Sequence, residues 1–507
     1  MISIDTNFYI LFFIVLSIPM ISSAIFLIPK ISYSFIHAHT AFLTFGPIVS
    51  LLALISHHDQ TVVVGPFQFD SFAWLLATFI LTISFVLQRF SVRYLFGDQA
   101  YRKYFFLFTL TTVANALAWF CQDMRFMILF FGCTLFGLFL LIGLKREWKI
   151  ARKAALLSGQ LFFLSILCLT IALIWLGKET GTWQLQEVFE NIDSIQQWTK
   201  TCINLLFVLV VIIPAAQWPF SSWLLNSVVA PTPVSAVMHA GIVNAGGLLL
   251  TRFSPLFQGD PSQIVLILVS SISVFIGTGI MLIQVDYKRQ LVGSTMAQMG
   301  FMLIQCGLGA YTAAITHAIL HGLFKATLFL QSGSALQHVK QKNMGTTKQI
   351  SLLSSVIGIL LGIGIGIGLW MSSSAEPYQI ISAIILGWSA MFSWVLLVGT
   401  NQGWLSRIVG TLIFIVTTFI FLIIHHSFTH FLGDIKTDTA SFSWMASLFV
   451  IILLTSGTIF SFWLNKHQSS PIYIKVYFWL VRLGEPKNKL VESHPNYLTQ
   501  QVMKGGN

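Results

Sequence analysis

Residues 317–330 read HAILHGLFKATLFL, so His317, His321 and Lys325 recur every fourth residue inside an otherwise apolar run. At about 100° per residue each step drifts only about 40°, which puts all three on one helical stripe, about 6 Å apart along the axis. That spacing is too long for a direct ring-to-ring hydrogen bond and is within reach of one bridging water. Histidine carries a proton on either ring nitrogen and titrates near physiological pH. A lysine kept out of water can also exchange its proton. The stripe therefore has the parts of a proton wire. The plainer alternative is two hydrogen-bonded interior histidines and a snorkelling lysine. Lys325 lies near the middle of its apolar segment, where snorkelling is awkward. Two histidines four apart could also grip a metal, but no Glu or Cys ligand stands beside them, and no metal is expected.

A second candidate lies upstream. His239 opens HAGIVNAGGLLLTR, with Asn244 five residues on. It follows VVIIPAAQWPFSSWLLNSVVAPTPVSAVM, where Pro214 and Pro219 fall inside a predicted helix over 203–229 and Gln217 sits between them. Pro231 and Pro233 mark the next junction. Each internal proline deletes a backbone hydrogen bond and clashes with the preceding turn. Interrupted backbone at membrane depth is tolerated only where protein or water covers it, and transporters place ion sites at such breaks. Pro214, Gln217 and Pro219 are thus read as a broken-helix gate. Without the adjacent break, His239 would read as an ordinary hydrogen-bonded core histidine. Asp286, Lys288 and Arg289, in IQVDYKRQL, fall between two predicted helices; they read as capping and topology residues, with Asp286 able to pair Lys288.

These residues need a membrane to make sense of them. The chain of 507 residues is 56% hydrophobic and 9% charged, with mean hydropathy +0.81. A soluble globular chain carries about 25% charged residues, so this one cannot cover its surface with water-compatible groups. The spanning rule marks off about fifteen apolar segments of about 20 residues each, among them 203–229, 233–251 and 312–337. The expected fold is all-α, a polytopic membrane bundle. The apolar N-terminus lacks a basic leader region and reads as a first helix. Basic loops fall after odd-numbered segments: Arg89, Arg93, Arg102 and Lys103; then Lys145, Arg146, Lys149, Arg152 and Lys153; then Lys288 and Arg289; then Lys340, Lys342 and Lys348. Glu179, Glu187, Glu190, Asp193, Asp434 and Asp438 fall in the others. The positive-inside rule then puts the N-terminus outside and the C-terminus in the cytoplasm. The net charge of +11 is spread over short loops, which fits topology and not nucleic-acid binding. No CxxC pair suggests a disulfide framework or zinc. No P-loop, dinucleotide fingerprint or nucleophile elbow suggests an enzyme. The tail, PIYIKVYFWLVRLGEPKNKL, is amphipathic and basic, suited to lying on the cytoplasmic membrane surface or docking on a partner. In GILLGIGIGIGLW (358–370), glycine at alternate positions lines no single helical face, so the segment reads as either a soft helix or a closely packed one.

APTPVSAVMHAG, DYKRQLVGSTMAQMGFM and HAILHGLFKATLFLQSGS resemble, in order and spacing, the antiporter-like subunits of respiratory complex I and of Mrp-type cation/proton antiporters, the subunit-L type above all. FQFDSFAWLLATFILTISFVLQRFSVRYL and YRKYFFLFTLTTVANALAWF also resemble helices of that subunit. The resemblance implies two inverted five-helix repeats with a broken helix in each, and a central chain of histidines and lysines that conducts protons. By position it gives His239, His317, His321 and Lys325 that role, with Pro219 at the first break. It divides the chain into N-terminal helices (1–100), a first repeat (101–252), a second repeat (253–400), C-terminal helices (401–465) and a cytoplasmic tail (466–507).

The departures are specific. Where these relatives carry a glutamate on the fifth helix, FFGCTLFGLFLLIGL offers Cys133 and Thr134, with no carboxylate from 124 to 144. Where they carry a lysine at the first break, Pro214 stands, and GLWMSSSAEP has serines where an exit lysine is expected. APTPVSAVMHAGIVNAGG in a chain of this size is similar to the membrane subunit of two-component inorganic-carbon accumulation systems, of the Dab or Mps type. That resemblance implies a multi-pass protein of a bacterial inner membrane. It implies a large cytoplasmic partner, carbonic-anhydrase-like and zinc-binding, so that zinc belongs to the partner and this chain needs no cofactor. It implies that protons or sodium ions drive hydration of carbon dioxide to bicarbonate. The alternatives are a complex I or Mrp antiporter subunit, or a membrane anchor that conducts nothing.

Overall fold

The computed structural model describes residues 4–57, 60–332, 352–371, 377–394, 397–398, 404–432 and 443–485. The basic cluster Lys340, Lys342 and Lys348, the acidic pair Asp434 and Asp438, and the serines at 372–374 lie outside the described residues. Elsewhere the chain is helical. In order come α1 (Ile4–Phe26), α2 (Phe35–Phe42), α3 (Phe45–Ser56), α4 (Ser71–Tyr94), α5 (Tyr101–Phe120), α6 (Met124–Ile142), α7 (Lys149–Thr180), α8 (Leu185–Glu190) and α9 (Gln197–Ile212). Then follow α10 (Ser222–Asn226), α11 (Thr232–Ala240), α12 (Ala245–Arg252), α13 (Ser254–Phe257), α14 (Ser262–Ile283), α15 (Tyr287–Gly307) and α16 (Tyr311–Gln331). The last are α17 (Leu352–Met371), α18 (Pro377–Trp394), α19 (Trp404–Phe431), α20 (Ser443–Lys466) and α21 (Pro471–Gly484). Over the described residues, each of the fifteen apolar segments falls on a helix or a helix pair. By length and hydropathy alone, nine candidate spans are found among the described residues. The sole sheet among them is an antiparallel hairpin before α4, β1 (Val62–Val64) with β2 (Phe67–Phe69).

Four helices, α4, α6, α15 and α21, begin where a side chain takes over an unpaired backbone donor. Asp70 caps α4 by accepting from Ala73 N at 2.8 Å, and Asp123 caps α6 by accepting from Arg125 N at 2.8 Å. Asp286, expected to cap, accepts from Arg289 N at 2.9 Å at the start of α15. Lys288 turns away from Asp286 and reaches the Ala230 carbonyl, 3.4 Å away. Helix α7 stops at Gly181, whose φ of 73° suits a residue without a Cβ.

The main core is a continuous cluster running through α1, α4–α7, α9, α11, α12, α15 and α16, and a small second cluster joins Ile267, Ile304, Leu308 and Val450. Of the candidate spans, Thr232–Arg252 is the most enclosed. The glycine-rich segment forms the unbroken helix α17. Its glycines divide by face: a Cβ on Gly362 or Gly366 would meet backbone of Gly387 or Ala383 on α18, whereas Gly364 and Gly368 face open space. Two glycines four apart thus form a small-xxx-small packing face, hidden in the sequence by the two that do not pack. The tail helix α21 packs on α14, with Leu480 against Gly279 and Gly484 against Gln284.

Candidate ion path

The first helix break is built by its prolines. Pro214 offers no N–H to the Val210 carbonyl, and Ser165 Oγ on α7 donates to that carbonyl at 2.9 Å. Pro219 likewise leaves the Ala215 carbonyl, which accepts from Gln217 Nε2 at 2.7 Å. The Ile213 carbonyl accepts from Trp223 Nε1 at 2.8 Å, and the Ile212 carbonyl from Gln217 N at 2.9 Å. Trp218 N donates to Ser273 Oγ at 3.0 Å and ties the break to α14. Ala216 sits at φ 52°, a left-handed conformation that costs a residue with a Cβ about 1–2 kcal/mol. The surrounding hydrogen bonds hold it there. Pro214, Gln217 and Pro219 therefore do come together as an interruption, and protein rather than open water covers the carbonyls of Val210, Ile212, Ile213 and Ala215. Gln217 keeps one buried group without a hydrogen-bond partner, its Oε1.

A second interruption follows His239 directly. Helix α11 ends at Ala240, a turn of 3-10 helix runs over Ile242–Asn244, and α12 resumes the span. Asn244 Nδ2 donates to the Ala240 carbonyl at 2.8 Å and closes the gap, while its Oδ1 has no partner. Helix α16 crosses at this point through Gly322; a Cβ there would stand 2.7 Å from the Ala240 carbonyl and 2.4 Å from Phe79 Cζ.

His239 and the α16 stripe meet across α15. His239 is 1% exposed, lies flat against Phe329 with ring centroids 4.3 Å apart, and places Nδ1 3.0 Å from Thr295 Oγ1. Thr295 spends its own hydrogen on the Leu291 carbonyl at 2.9 Å. With that hydrogen committed, Nδ1–H of His239 must donate to it, which fixes the Nδ1–H tautomer for the neutral ring. Lys325, 1% exposed, donates from Nζ to the same Leu291 carbonyl at 3.1 Å. One carbonyl oxygen thus joins the histidine of α11 to the lysine of α16. His321, four residues before Lys325, is 6% exposed and has no hydrogen-bond partner at either nitrogen. The His317 and His321 rings are 6.2 Å apart, and His317 rests beside Phe301 at 5.8 Å.

The four groups form one electrostatic unit. His317, His321 and Lys325 follow one another along α16, and His239 reaches Lys325 through Thr295 and the Leu291 carbonyl. Among the described residues no carboxylate lies in ion-pair distance of any of them. Two positive charges in this enclosed space repel far more strongly than in water, so the arrangement suits one mobile charge passed between neighbours. Asp286 stays at the exposed helix end, outside this unit. Thr295, the Leu291 carbonyl and Phe329 are the members that sequence spacing does not mark. Among the described residues no cluster of metal-ligating side chains is present.

Comparison with known proteins identifies the family. The NADH:quinone oxidoreductase/Mrp antiporter transmembrane family matches residues 121–413, which cover both helix breaks and the stripe. The chain belongs to that family of antiporter-like membrane proteins. Within it, the chain belongs with the membrane subunits of inorganic carbon transporters. It is 51% identical over 98% of both chains to the probable inorganic carbon transporter subunit DabB of Bacillus anthracis, and 50% identical over 97% of both to that of Bacillus subtilis. The NADH-quinone oxidoreductase subunit L of Buchnera aphidicola is 32% identical over 56% of this chain and 47% of its own. In fold, the chain is similar to the Mrp complex of Dietzia, with TM-score 0.59 at 21% identity over 98% of this chain and 59% of that one.

Proposed function

We propose that this chain conducts ions, protons foremost, as the membrane subunit of an inorganic-carbon transporter. The ion gradient it dissipates drives carbon dioxide hydration and bicarbonate accumulation by a cytoplasmic partner. One observation carries the reading: His239, Thr295, the Leu291 carbonyl and Lys325 form a continuous polar link between two helices, flanked by His321 and His317, deep inside the bundle. Buried ionisable groups are costly in a membrane and mark ion pathways. The relatives named as inorganic carbon transporter subunits supply the substrate class. In this reading the fifteen helical segments all span, the basic loops face the cytoplasm, and the partner is a large carbonic-anhydrase-like subunit that holds the zinc.

Expression with the neighbouring subunit in a bacterium that needs added carbon dioxide tests it. Growth in air should be lost in Lys325→Ala and His317→Ala variants that still reach the membrane and still hold the partner. If both variants support growth and bicarbonate uptake as the parent does, conduction through this stripe is wrong and the chain is an anchor. Co-purification with several other antiporter-like subunits, in place of a zinc protein, would favour an antiporter complex.

A further inference from the structure

A buried histidine outside the stripe is held by a polar chain of its own. His39 of α2 is fully buried where α1, α2, α4 and α5 meet. Its Nδ1 lies 2.7 Å from Ser22 Oγ on α1, and its Nε2 lies 3.1 Å from Gln88 Oε1 on α4 and 3.4 Å from Thr109 Oγ1 on α5. Gln88 Nε2 donates to Ser84 Oγ at 3.1 Å, and Thr112 Oγ1 donates to Ser84 Oγ at 2.8 Å. Ser84 and Thr112 then line a cavity of about 40 Å³ with Asn115, Thr134 and, across from them, Ala240 and Gly241 at the break after His239. Phe79, Ile80, Ile83, Leu87, Val237 and Ile242 also line it, and its volume exceeds the roughly 15 Å³ that one water molecule needs beside the polar groups of Ser84, Thr112, Asn115 and Thr134.

We propose that His39 is a further proton-holding residue of the path, coupled to the central stripe through Gln88, Ser84, Thr112 and this cavity. The proposal rests on the ion-conducting reading above. Its chemistry follows from Ser22. In the neutral ring with hydrogen on Nε2, that hydrogen goes to Gln88 Oε1 and the Ser22 hydroxyl donates to Nδ1. When a proton binds at Nδ1, the new N–H donates to Ser22 Oγ, and the Ser22 hydrogen turns to the Pro19 carbonyl, 3.0 Å away. The proton comes from a hydronium ion, whose O–H bond breaks as the N–H bond forms, and no heavy atom of the protein moves. Both charge states are thus fully hydrogen-bonded at both nitrogens. Gln88 is an amide and passes no proton. It transmits charge by polarising the Ser84–Thr112 end of the chain, so a proton on His39 opposes one at the cavity and favours its movement on toward His239.

The charged groups of the neighbouring elements leave His39 alone in this. Arg89 and Arg93 of α4, Lys103 of α5 and His37 of α2 are exposed. Arg102 of α5 donates to the carbonyls of Phe26, Ile28, Pro29 and Ile31, and Tyr101 donates to Val92. The Tyr104 hydroxyl is buried without a partner, and α3 carries no ionisable residue.

The test uses the full chain with its partner, in lipid nanodiscs for NMR and in vesicles for flux. Imidazole ¹⁵N spectra should show a histidine, absent in His39→Gln, that moves to the imidazolium position as pH is lowered from about 8 to about 5. Potential-driven proton uptake should fall at least tenfold in His39→Gln and in Gln88→Leu, at unchanged melting temperature for His39→Gln. An imidazole that stays neutral throughout, or flux equal to wild type in both variants, overturns the proposal. If the wild-type protein itself passes no protons, the ion-conducting reading fails, and the spectra still decide whether His39 takes up a proton.

Discussion

Thr295 turns two distant ionisable residues into one unit, since its hydroxyl accepts from His239 and donates to the carbonyl that also holds Lys325. Thr295→Val keeps the shape and removes the acceptor. A buried donor left unmade costs about 1–3 kcal/mol, so His239 should turn away or lose order. Proton flux in vesicles should fall about tenfold, a difference of about 1.4 kcal/mol in barrier, while Thr295→Ser should retain most of it. At a helix end, the buried Asp123 carboxylate caps α6 and accepts from Arg125 Nη2 at 2.6 Å. The hydrogen bond from Arg125 holds its carboxyl below the usual carboxylate range, against the opposing pull of burial. A depressed folded value means stability that is present above the unfolded value and is lost as pH falls through the folded one. The melting temperature should therefore decline below about pH 4, and Asp123→Asn should melt lower at neutral pH and lose that part of the acid dependence. Thermal unfolding in detergent at stepped pH reads both.

Helix interruptions set where these residues meet, and only one of the two is legible in the sequence. Pro214 and Pro219 delete donors at known positions, so a break over 213–221 follows from local chemistry. The turn after His239 has no proline. There α16 crosses close to the Ala240 carbonyl, a contact between residues 82 positions apart that the missing Cβ of Gly322 permits. Gly322→Ala should place a methyl against that carbonyl and the Phe79 ring, at a cost of about 1–3 kcal/mol. Melting temperature and flux should fall together, and Phe79→Leu should restore only part, because the backbone carbonyl cannot yield as a ring can. The same logic explains the rest of what was legible. The i, i+4, i+8 stripe was visible because a helix maps spacing onto a face. Thr295, Phe329 and Ser165 were not, because their partners lie on other helices and their residue types are ordinary in apolar segments. The alternating glycines of α17 lined no single face until its neighbour α18 selected two of them.

At the scale of the whole molecule, polar contacts sort the loops into two sets that match the alternation of charge along the chain. On one side, Arg102 binds the carbonyls of Ile28 and Ile31, Lys145 pairs with Asp98 at 3.1 Å, Tyr94 donates to Thr232, and Lys288 reaches Ala230. On the other, Asp70 pairs with Arg252, Leu185 N donates to Gln122, and Gln197 and Thr201 donate to Asp260. The first set holds the junctions after odd-numbered segments, where the lysines and arginines concentrate, and the described contacts join loops within a set. An even number of crossings separates any two members of one set, so this pairing supports the alternation of the first nine segments independently of hydropathy. The positive-inside rule then assigns the first set to the cytoplasm. Arg146 and Glu190 are exposed and belong to opposite sets. In a background with the five native cysteines replaced by serine, Glu190→Cys should react with a membrane-impermeant maleimide on intact cells. Arg146→Cys should react only in inside-out vesicles. Labelling of both from the same side would break the parity and, with it, the placement of a carbon-hydrating partner on the basic face.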